Sequence, residues 1–232
     1  LSFLALNNGY QYENLTENEF QVAYLQTIGT YGKWDASKFY GDFGFYAQTG
    51  EAALANDKVD VGAYYAGFNL GYKFTNPFKA ELGFEYLSGK DQNDTDTKVK
   101  SFTPLFGTNH GFNGLMDYFY VGNHKNSVGL QDFYTKFIYD KNKWQVTLSP
   151  HVFYSAASVY NTTTLEEQDS YLGTEIDLTA TYKLDKNFVI SGGVSKMFAS
   201  NTMEILKGGN NSNGNNWAWV MVSFNPQLFT YK

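Results

Sequence analysis

KWQVTLSPHVFYSA, residues 143–156, alternates strictly between two kinds of side chain. From 144 to 154 the even positions are Trp, Val, Leu, Pro, Val and Tyr, whereas the odd positions from 143 to 153 are Lys, Gln, Thr, Ser, His and Phe. Because successive side chains of a strand point to opposite sides, this stretch predicts a strand with one apolar face and one polar face. A strand of about 14 residues is more than twice the usual length of roughly 5 to 6 residues.

The same period of two recurs along the chain and predicts ten strands. They lie at residues 1–7, 20–32, 36–48, 60–74, 78–88, 129–140, 143–156, 170–184, 187–199 and 216–226. Some links between them are short turns rich in Asp, Asn, Lys and Gly: GKWDA, TNP, DKNK and LDKN. The other links are long and lie at 8–19, 49–59, 89–128, 157–169 and 200–215. Short and long links alternate along the chain.

This order of connections is typical of outer-membrane barrels, in which tight turns at one end of the barrel alternate with long loops at the other. Ten residues that rise about 3.3 Å each at a tilt near 45° cover roughly 23 Å, close to the apolar band of about 25 Å. Aromatic residues beside the short turns would form an interfacial girdle: Trp34, Phe74, Phe78, Trp144, Tyr182 and Phe188. In the strand at 170–184, Leu172, Ile176 and Leu178 share the apolar face, which such a barrel turns to lipid.

The sequence therefore predicts an all-β fold, a transmembrane antiparallel up-and-down β-barrel of about ten strands. Residues 1–232 would form a single outer-membrane domain with a long external loop at 89–128. A water-soluble barrel or sandwich is the alternative, because period two does not tell which face points inward.

The composition argues against several classes of function. The net charge of −6 is unlike that of a nucleic-acid-binding protein, which needs a basic surface. The chain has no cysteine, so neither disulfides nor a thiolate zinc site can form. His110, His124 and His151 are too scattered to indicate a metal site, and nothing marks Ser149, near His151 on the polar face, as an activated nucleophile. We therefore expect no catalytic residue, no metal and no cofactor.

Four segments resemble the alginate-export family of outer-membrane barrels, especially its Bacteroidota members. They are KWDASKFYGDFGFYAQTGE at 33–51, GFEYLSGK at 83–90, FTPLFGTNHGFNGLMDYFYVGN at 102–123 and GLQDFYTKF at 129–137. The resemblance implies a monomeric barrel of about eighteen strands whose charged lumen carries a polyanionic polysaccharide. With about ten strands, this chain would be the carboxy-terminal part of such a barrel, truncated at its amino terminus. An independent ten-stranded barrel is the alternative.

The polar faces of the strands assign both signs of charge to the pore lining. The lysines are Lys38, Lys73, Lys79, Lys136, Lys143 and Lys183, and the carboxylates are Asp42, Glu81, Glu85, Asp132, Glu175 and Asp177. This balance does not make an anion filter, and the chain lacks arginine, whose guanidinium binds carboxylates in a bidentate way. Tyrosines on the same faces suit stacking on sugar rings or fill space: Tyr40, Tyr46, Tyr65, Tyr134 and Tyr171. The lining therefore favours saccharides or other small polar solutes over a polyuronate.

The link at 89–128 is the longest and is predicted to fold into the external mouth as a constriction or plug. Its many apolar residues need burial, and the barrel wall is the nearest surface. Its polar residues would then pin the loop, which is the simpler role, or contact a solute: Asn109, His110, Asn113 and Asp117. KDQNDTDTK at 90–98 could offer oxygens to calcium, but it lacks the glycine and the closing glutamate of an EF-hand loop and is predicted to be a solvated tip.

Taken together, these patterns predict a non-enzymatic pore in the bacterial outer membrane. Its partners would be outer-membrane lipid and lipopolysaccharide and a saccharide or other small polar solute, with polysaccharide export as the function that the resemblance implies. A second hypothesis is a structural subunit, a plugged barrel whose external loops dock other outer-membrane proteins. A third is a soluble sugar-binding β-protein.

Overall fold

The computed structural model describes residues 1–106, 110, 113–124, 127–227 and 229. Within these residues one antiparallel sheet contains ten strands, and each strand pairs with the next along the chain. The strands are β1 (Ser2–Asn14), β2 (Glu19–Ala36), β3 (Phe39–Leu54), β4 (Asp57–Lys73), β5 (Phe78–Leu87), β6 (Leu130–Lys141), β7 (Trp144–Tyr154), β8 (Tyr171–Lys183), β9 (Phe188–Ala199) and β10 (Asn215–Phe224). The predicted all-β, up-and-down arrangement of ten strands is confirmed.

Two links that were predicted to be long loops are mostly strand, so the strict alternation of short and long links is wrong. β1 and β2 are joined by residues 15–18, and β3 and β4 by residues 55–56, in place of loops at 8–19 and 49–59. Hydrogen bonds between backbone groups make the ladder, so it continues where the apolar alternation fades. For the same reason β2 runs through the predicted GKWDA turn as far as Ala36.

The connections fall at two ends of the sheet. One end, here the short-turn end, holds the connections at residues 37–38, 74–77, 142–143 and 184–187. The other, the loop end, holds those at 15–18, 55–56, 88–129, 155–170 and 200–214. The segment 88–129 is here called the inner segment, and its residues Phe102, Pro104–Phe106, Asn113 and His124 share a cavity inside the concave face of the sheet with Leu4 of β1 and Tyr134 of β6. The sheet therefore curls around the inner segment, and the space it encloses is the lumen.

The two faces of the sheet have opposite polarity. Exposed apolar side chains on the convex face include Phe43, Phe45, Phe68, Leu82, Phe133, Phe137, Leu148, Leu178, Val194 and Phe198. Buried polar side chains on the concave face include Gln48, Asp132, Ser149, His151, Glu175, Asp177 and Ser195. The alternation in the sequence did not tell which face of the sheet points inward. In the structure the apolar face points outward.

A β-bulge changes the direction of one residue that the alternation assigned to the outer face. The register between β7 and β8 shifts after Phe153, which pairs with Gly173, whereas Tyr154 pairs with Tyr171. The intervening Leu172 is 0% exposed and belongs to the inner core. The prediction that Leu172 faces outward is wrong, because a bulge inserts one residue and reverses the parity on one side of it.

The apolar core lies inside the sheet toward the loop end. The strands contribute Leu25, Val61, Ala63, Leu87, Leu130, Phe153, Leu172 and Met197, and the connections contribute Val99, Phe102, Phe119 and Met203. The ring of Phe119 lies 4.7 Å from that of Phe153, and the ring of Phe102 lies 5.6 Å from that of Tyr65. Burying a large apolar side chain contributes roughly 1.5–3 kcal/mol. Burial of this kind holds the inner segment inside the lumen.

The link between β9 and β10 contains a short helix that the sequence pattern did not predict, α1 (Asn201–Lys207). The Oγ of Ser200 caps it by accepting a hydrogen bond from the amide of Met203 at 3.2 Å. Thr202 and Met203 are buried, and the Thr202 hydroxyl donates to the carbonyl of Asp169 at 2.8 Å. Among the residues that the structure describes, no helix is long and apolar enough to cross a membrane.

Candidate functional site

The inner segment first extends the sheet and then turns into the lumen. The ladder between β4 and β5 ends at Tyr65, well inside β4, so the rest of β4 has a free edge. Val99 occupies that edge: its amide donates to the carbonyl of Asp60 at 2.8 Å, and its carbonyl accepts from the amide of Gly62 at 2.9 Å. This pairing fixes the point at which the segment enters the lumen.

Gln48 of β3 provides a second anchor for the segment. Its Nε2 donates to the carbonyl of Thr103 at 2.8 Å, and its Oε1 accepts from the amide of Thr103 at 3.1 Å. Gln48 is 3% exposed. A buried side-chain amide without hydrogen-bond partners would cost about 1–3 kcal/mol of stability. The Gln48 amide avoids this cost, because its donor and its acceptor both bond to the backbone of Thr103.

The wall carboxylates hold the middle of the segment. Nδ2 of Asn113 donates to Glu85 at 2.9 Å and to Asp132 at 3.1 Å. Oε1 of Glu175 accepts from the backbone amides of Leu115 at 2.7 Å and Met116 at 2.9 Å. Removing a partner so that a buried donor or acceptor is left unsatisfied costs about 1–3 kcal/mol. These contacts form the latch, defined as the contacts of residues 113–116 with Glu85, Asp132 and Glu175.

The backbone of the latch needs the residue types found there. Asn113 and Gly114 have φ values of 48° and 89°, in the left-handed region that Asn and Gly tolerate best. A Cβ on Gly114 would stand 2.6 Å from Oε1 of Glu175. Any larger residue at Gly114 would therefore push the carboxylate away from the amides that it accepts from.

The structure locates three of the four predicted constriction residues, and Asn109 lies outside the described residues. Nδ1 of His110 lies 2.9 Å from both carboxylate oxygens of Asp117, so these two side chains bind each other. The ring of His110 also meets that of Trp217 edge-on at 5.7 Å. Asn113 belongs to the latch. These contacts lie within the protein, and contact between these residues and a solute stays a prediction.

The predicted pore-lining lysines gather at the short-turn end. Lys38 and Lys143 lie in turns and not on strands as predicted, while Lys73, Lys79 and Lys183 lie at strand ends. Three of these lysines form ion pairs: Lys73 with Asp35, Lys79 with Asp140 at 3.6 Å, and Lys136, further inside, with Glu81 at 4.0 Å. Alternation could not separate Lys38 and Lys143 from the strands, because a turn residue continues the parity of the strand next to it.

The predicted carboxylates lie on strands and extend toward the loop end. Going along the wall, Glu81 pairs across strands with Lys136, and Glu85 with Asp132. His151 lies 3.0 Å from Asp132 through its Nδ1, and its backbone partner across strands is Glu175. Asp132, Glu175 and Asp177 are 1%, 0% and 2% exposed. The lining is thus segregated by charge, with lysines at the short-turn end and buried carboxylates toward the loop end.

Inward tyrosines cover inward glycines along the wall. A Cβ on Gly71 would stand 2.2, 2.4 and 2.5 Å from Cζ, Cε2 and Cε1 of Tyr40. A Cβ on Gly83 would stand 2.0, 2.4 and 2.4 Å from Cζ, Cε2 and Oη of Tyr134. Such nearly equal distances to adjacent atoms place each glycine under the face of a ring. The rings therefore lie along the wall, and the ring of Tyr134 also stacks with that of His151 at 5.3 Å.

A cavity of about 580 Å³ lies beneath the inner segment. Its polar and aromatic lining includes Tyr31, Asp42, Tyr46, Gln48, Tyr65, Glu85, Asn113 and Tyr134. The rings of Tyr46 and Tyr65 are 5.9 Å apart and tilted by 46°. Tyr31 is 39% exposed, so the cavity remains open to solvent.

His124 is a buried residue that sequence reasoning left without a role. It is 3% exposed, and its Nε2 donates to the carbonyl of Phe119 at 3.1 Å. Burial, with a smaller contribution from the nearby Lys207 ammonium, lowers its pKa to about 4. Burial also lowers the pKa of Lys207, whose Nζ lies 5.3 Å from the centre of the Phe119 ring. The neutral imidazole therefore acts as a packed hydrogen-bond donor.

The acidic residues of KDQNDTDTK are used in contacts within the protein. Asp91 accepts from the amide of Ser158 at 2.7 Å. Lys100 lies 2.6 Å from Asp94 and 3.3 Å from Asp96, and these contacts lower the pKa of both carboxyls. Within the described ranges, no three His, Asp or Glu side chains are grouped so that they could hold a metal ion.

No protein-family model and no curated protein matches the chain. Solved structures that it is similar to include the NanC porin in a rhombohedral crystal form, at 10% identity and a TM-score of 0.42, with 96% of this chain and 99% of that chain covered. They also include the copper transporter OprC, at 13% identity and a TM-score of 0.43, with 86% of this chain and 34% of that chain covered.

Proposed function

We propose that the chain forms a pore in the bacterial outer membrane whose lumen is constricted by the inner segment. The observation that carries this proposal is the polarity of the sheet. Large apolar side chains cover the convex face, whereas charged side chains line the concave face. This is the arrangement of a transmembrane barrel, in which lipid-facing and lumen-facing residues alternate along each strand.

The exposure of the convex face argues against a soluble sugar-binding protein. Phe45, Phe137 and Val194 are 49%, 54% and 53% exposed on strands from different parts of the sheet. A soluble monomer rarely exposes a contiguous apolar patch above a few hundred Å². Outward aromatic pairs also cluster at the short-turn end, where a membrane interface would lie: Phe39 with Tyr72, Phe78 with Tyr139, and Trp144 with Tyr182.

The lining supports a small polar solute, including a saccharide, better than a polyanion. Tyrosine rings that lie flat along the wall suit stacking on a sugar ring. Lys73, Lys79 and Lys136 are in ion pairs, which lowers the positive charge that they present to a polyuronate. Membership of the alginate-export family and polysaccharide export remain proposals that rest on the resemblance of the quoted segments.

A plugged barrel that serves as a partner subunit is the second candidate function. The observation that favours it is the apolar core, in which Phe102 and Phe119 of the inner segment are 5% and 4% exposed. A segment held by this burial and by the latch could close the lumen permanently. The loop end would then be a docking surface for other outer-membrane proteins.

Conductance in planar bilayers tests the pore against the plug. We expect excision of Phe102–Tyr120 to raise the single-channel conductance, because it removes the obstruction while the ladder of the sheet is kept. The double variant Asn113→Ala with Glu175→Ala should raise the frequency of opening, because it removes latch contacts and leaves the segment in place. Asp96→Ala, at an exposed site of the same segment, is the matched control and should behave like the parent protein.

The folded state of each variant is checked by its resistance to unfolding in cold detergent. A folded excision variant with the conductance of the parent would place the segment outside the conduction path. Failure of every folded variant to conduct would favour the plugged subunit.

A further inference from the structure

We infer that the cavity beneath the inner segment binds an organic cation, such as an ammonium compound of small size. This inference deepens the proposed function and rests on it, since it names the class of solute that the pore would hold. The cavity brings together four tyrosines and two carboxylates: Tyr31, Tyr46, Tyr65, Tyr134, Asp42 and Glu85. An aromatic wall with a nearby negative charge is a recurrent way to bind ammonium groups.

The cavity lining contains two carboxyl groups, those of Asp42 and Glu85, and no lysine among the residues that the structure describes. No lysine lies within 4.0 Å of either carboxyl group in the described part of the chain. Lys33 stands across from Asp42 in the ladder but makes no ion pair with it at that distance. Glu85 accepts a hydrogen bond from Asn113, which is a neutral donor.

Asp42 also lies close to the aromatic wall. Its side chain lines the same cavity as Tyr31, Tyr65 and Tyr134. A cation seated against these rings would therefore meet the ring faces and the carboxylate together.

The wall already holds ammonium groups of the protein in this way. Nζ of Lys136 lies 5.1 Å from the centre of the Tyr134 ring, and Nζ of Lys73 lies 5.3 Å from that of Tyr40. The same two rings cover glycines of the wall, Gly83 under Tyr134 and Gly71 under Tyr40. The wall is thus built to turn a ring face toward a cation, and the cavity offers further rings without a lysine of their own.

Lys136 is the positive group that could oppose a bound cation. It stands at the edge of the cavity and is paired with Glu81 at 4.0 Å, so its charge is partly offset. The volume of about 580 Å³ is ample for a cation with a few carbon atoms. A polyanion, by contrast, would meet Asp42 and Glu85 with no cation between them.

Calorimetric titration of the purified chain in detergent with choline tests the inference, with the neutral isostere 3,3-dimethylbutan-1-ol and glucose as comparison solutes. We expect choline to bind roughly tenfold more tightly than the neutral isostere. Asp42→Asn and Tyr65→Leu should each weaken choline binding by about the same factor, whereas Tyr65→Phe, which keeps the ring, should not. Asp140→Asn, at an acidic wall position outside the cavity, is the matched control and should leave binding unchanged.

Equal affinity for choline and its isostere, or choline binding that Asp42→Asn does not weaken, would overturn the inference. Glucose binding that exceeds choline binding would assign the cavity to neutral saccharides instead. Bilayer recordings on the same preparation separate the two claims. A protein that conducts but does not prefer choline would refute the cation site and leave the proposed pore supported. A protein that binds choline but does not conduct in any folded variant would support the cation site and refute the pore.

Discussion

The two halves of the lumen are built by the same ten strands but differ in what fills them. Toward the short-turn end, the wall carries lysines in ion pairs that are partly exposed, as in the pair of Lys79 and Asp140 with 39% exposure of each side chain. Toward the loop end, buried carboxylates such as Glu175 bind backbone amides of the inner segment, and apolar side chains fill the remaining space. The first half resembles a wet channel lining and the second half a protein core.

In the proposed pore, this contrast would let one wall serve both conduction and closure. Exposed ion pairs contribute little stability, with a median of about 0–1 kcal/mol, and can be rearranged by a passing solute. Buried carboxyl groups with several hydrogen bonds are held more strongly by their partners, because breaking a contact leaves a buried polar group without a partner at a cost of about 1–3 kcal/mol. The half proposed to conduct has the weak contacts, and the half that holds the inner segment has the strong ones.

Arginine scanning across β8 should give the largest effect and tests which half is wet. Leu178 is 43% exposed on the convex face, whereas its neighbour Thr179 faces the lumen in the short-turn half. Leu178→Arg should lower the free energy of unfolding in lipid vesicles by roughly 2–4 kcal/mol, because it places a charge in the bilayer. Thr179→Arg is the matched control and should cost little, since water can reach it. Equal losses at both positions would show that this half of the lumen is closed to water.

Acid should loosen the core-like half by a smaller amount. His124 is neutral in the folded protein because its pKa is lowered from 6.5 to about 4. The released segment binds the proton more readily, so the stabilising free energy is complete above pH 6.5 and falls as the pH drops from 6.5 toward 4. The loss reaches up to about 3 kcal/mol below the folded pKa.

Hydrogen exchange at the amides of residues 118–124, measured from pH 7 to pH 4 and corrected for the intrinsic rate, reports this loosening. His124→Gln is expected to remove the dependence, because glutamine can still donate to the carbonyl of Phe119 but does not titrate. A parent protein whose corrected protection stays constant over that range would mean that His124 is not held neutral by the packing around it.

The strand order could be predicted from the sequence because alternation is a local signal that each strand carries by itself. The extension of β1–β4 could not, since polar residues at 8–14 and 49–54 hide a ladder that depends on backbone pairing. The bulge that buries Leu172 was equally hidden, because it depends on how β7 and β8 fit together.

The candidate site shows the same division between local and tertiary information. The inward carboxylates followed from parity, but the latch requires knowledge that residues 113–116 reach Glu175, far along the chain. The rings over glycines belong to the tertiary part as well: Tyr40 covers Gly71 and Tyr134 covers Gly83, each on the neighbouring strand, so these contacts depend on strand register.

Neutralising lysines at the short-turn end should give the smallest effect and would sharpen the contrast between the two halves. Lys79 and Lys183 are at strand ends, and Lys79 is 3.6 Å from Asp140. Replacing both with glutamine removes two positive charges and frees one carboxylate, so the lining becomes more negative. The reversal potential of a conducting variant in a salt gradient should shift toward cations by a few millivolts, and the shift should shrink at high salt because exposed charges are screened.

The same replacement at Lys58, which pairs with Glu51 at the loop end, is the control and should leave the potential unchanged. An equal shift for the Lys58 variant would mean that selectivity is set by the overall field of the protein. In that case the lysines at the short-turn end would not set the ion selectivity, and the two halves of the lumen would differ in function only through the latch.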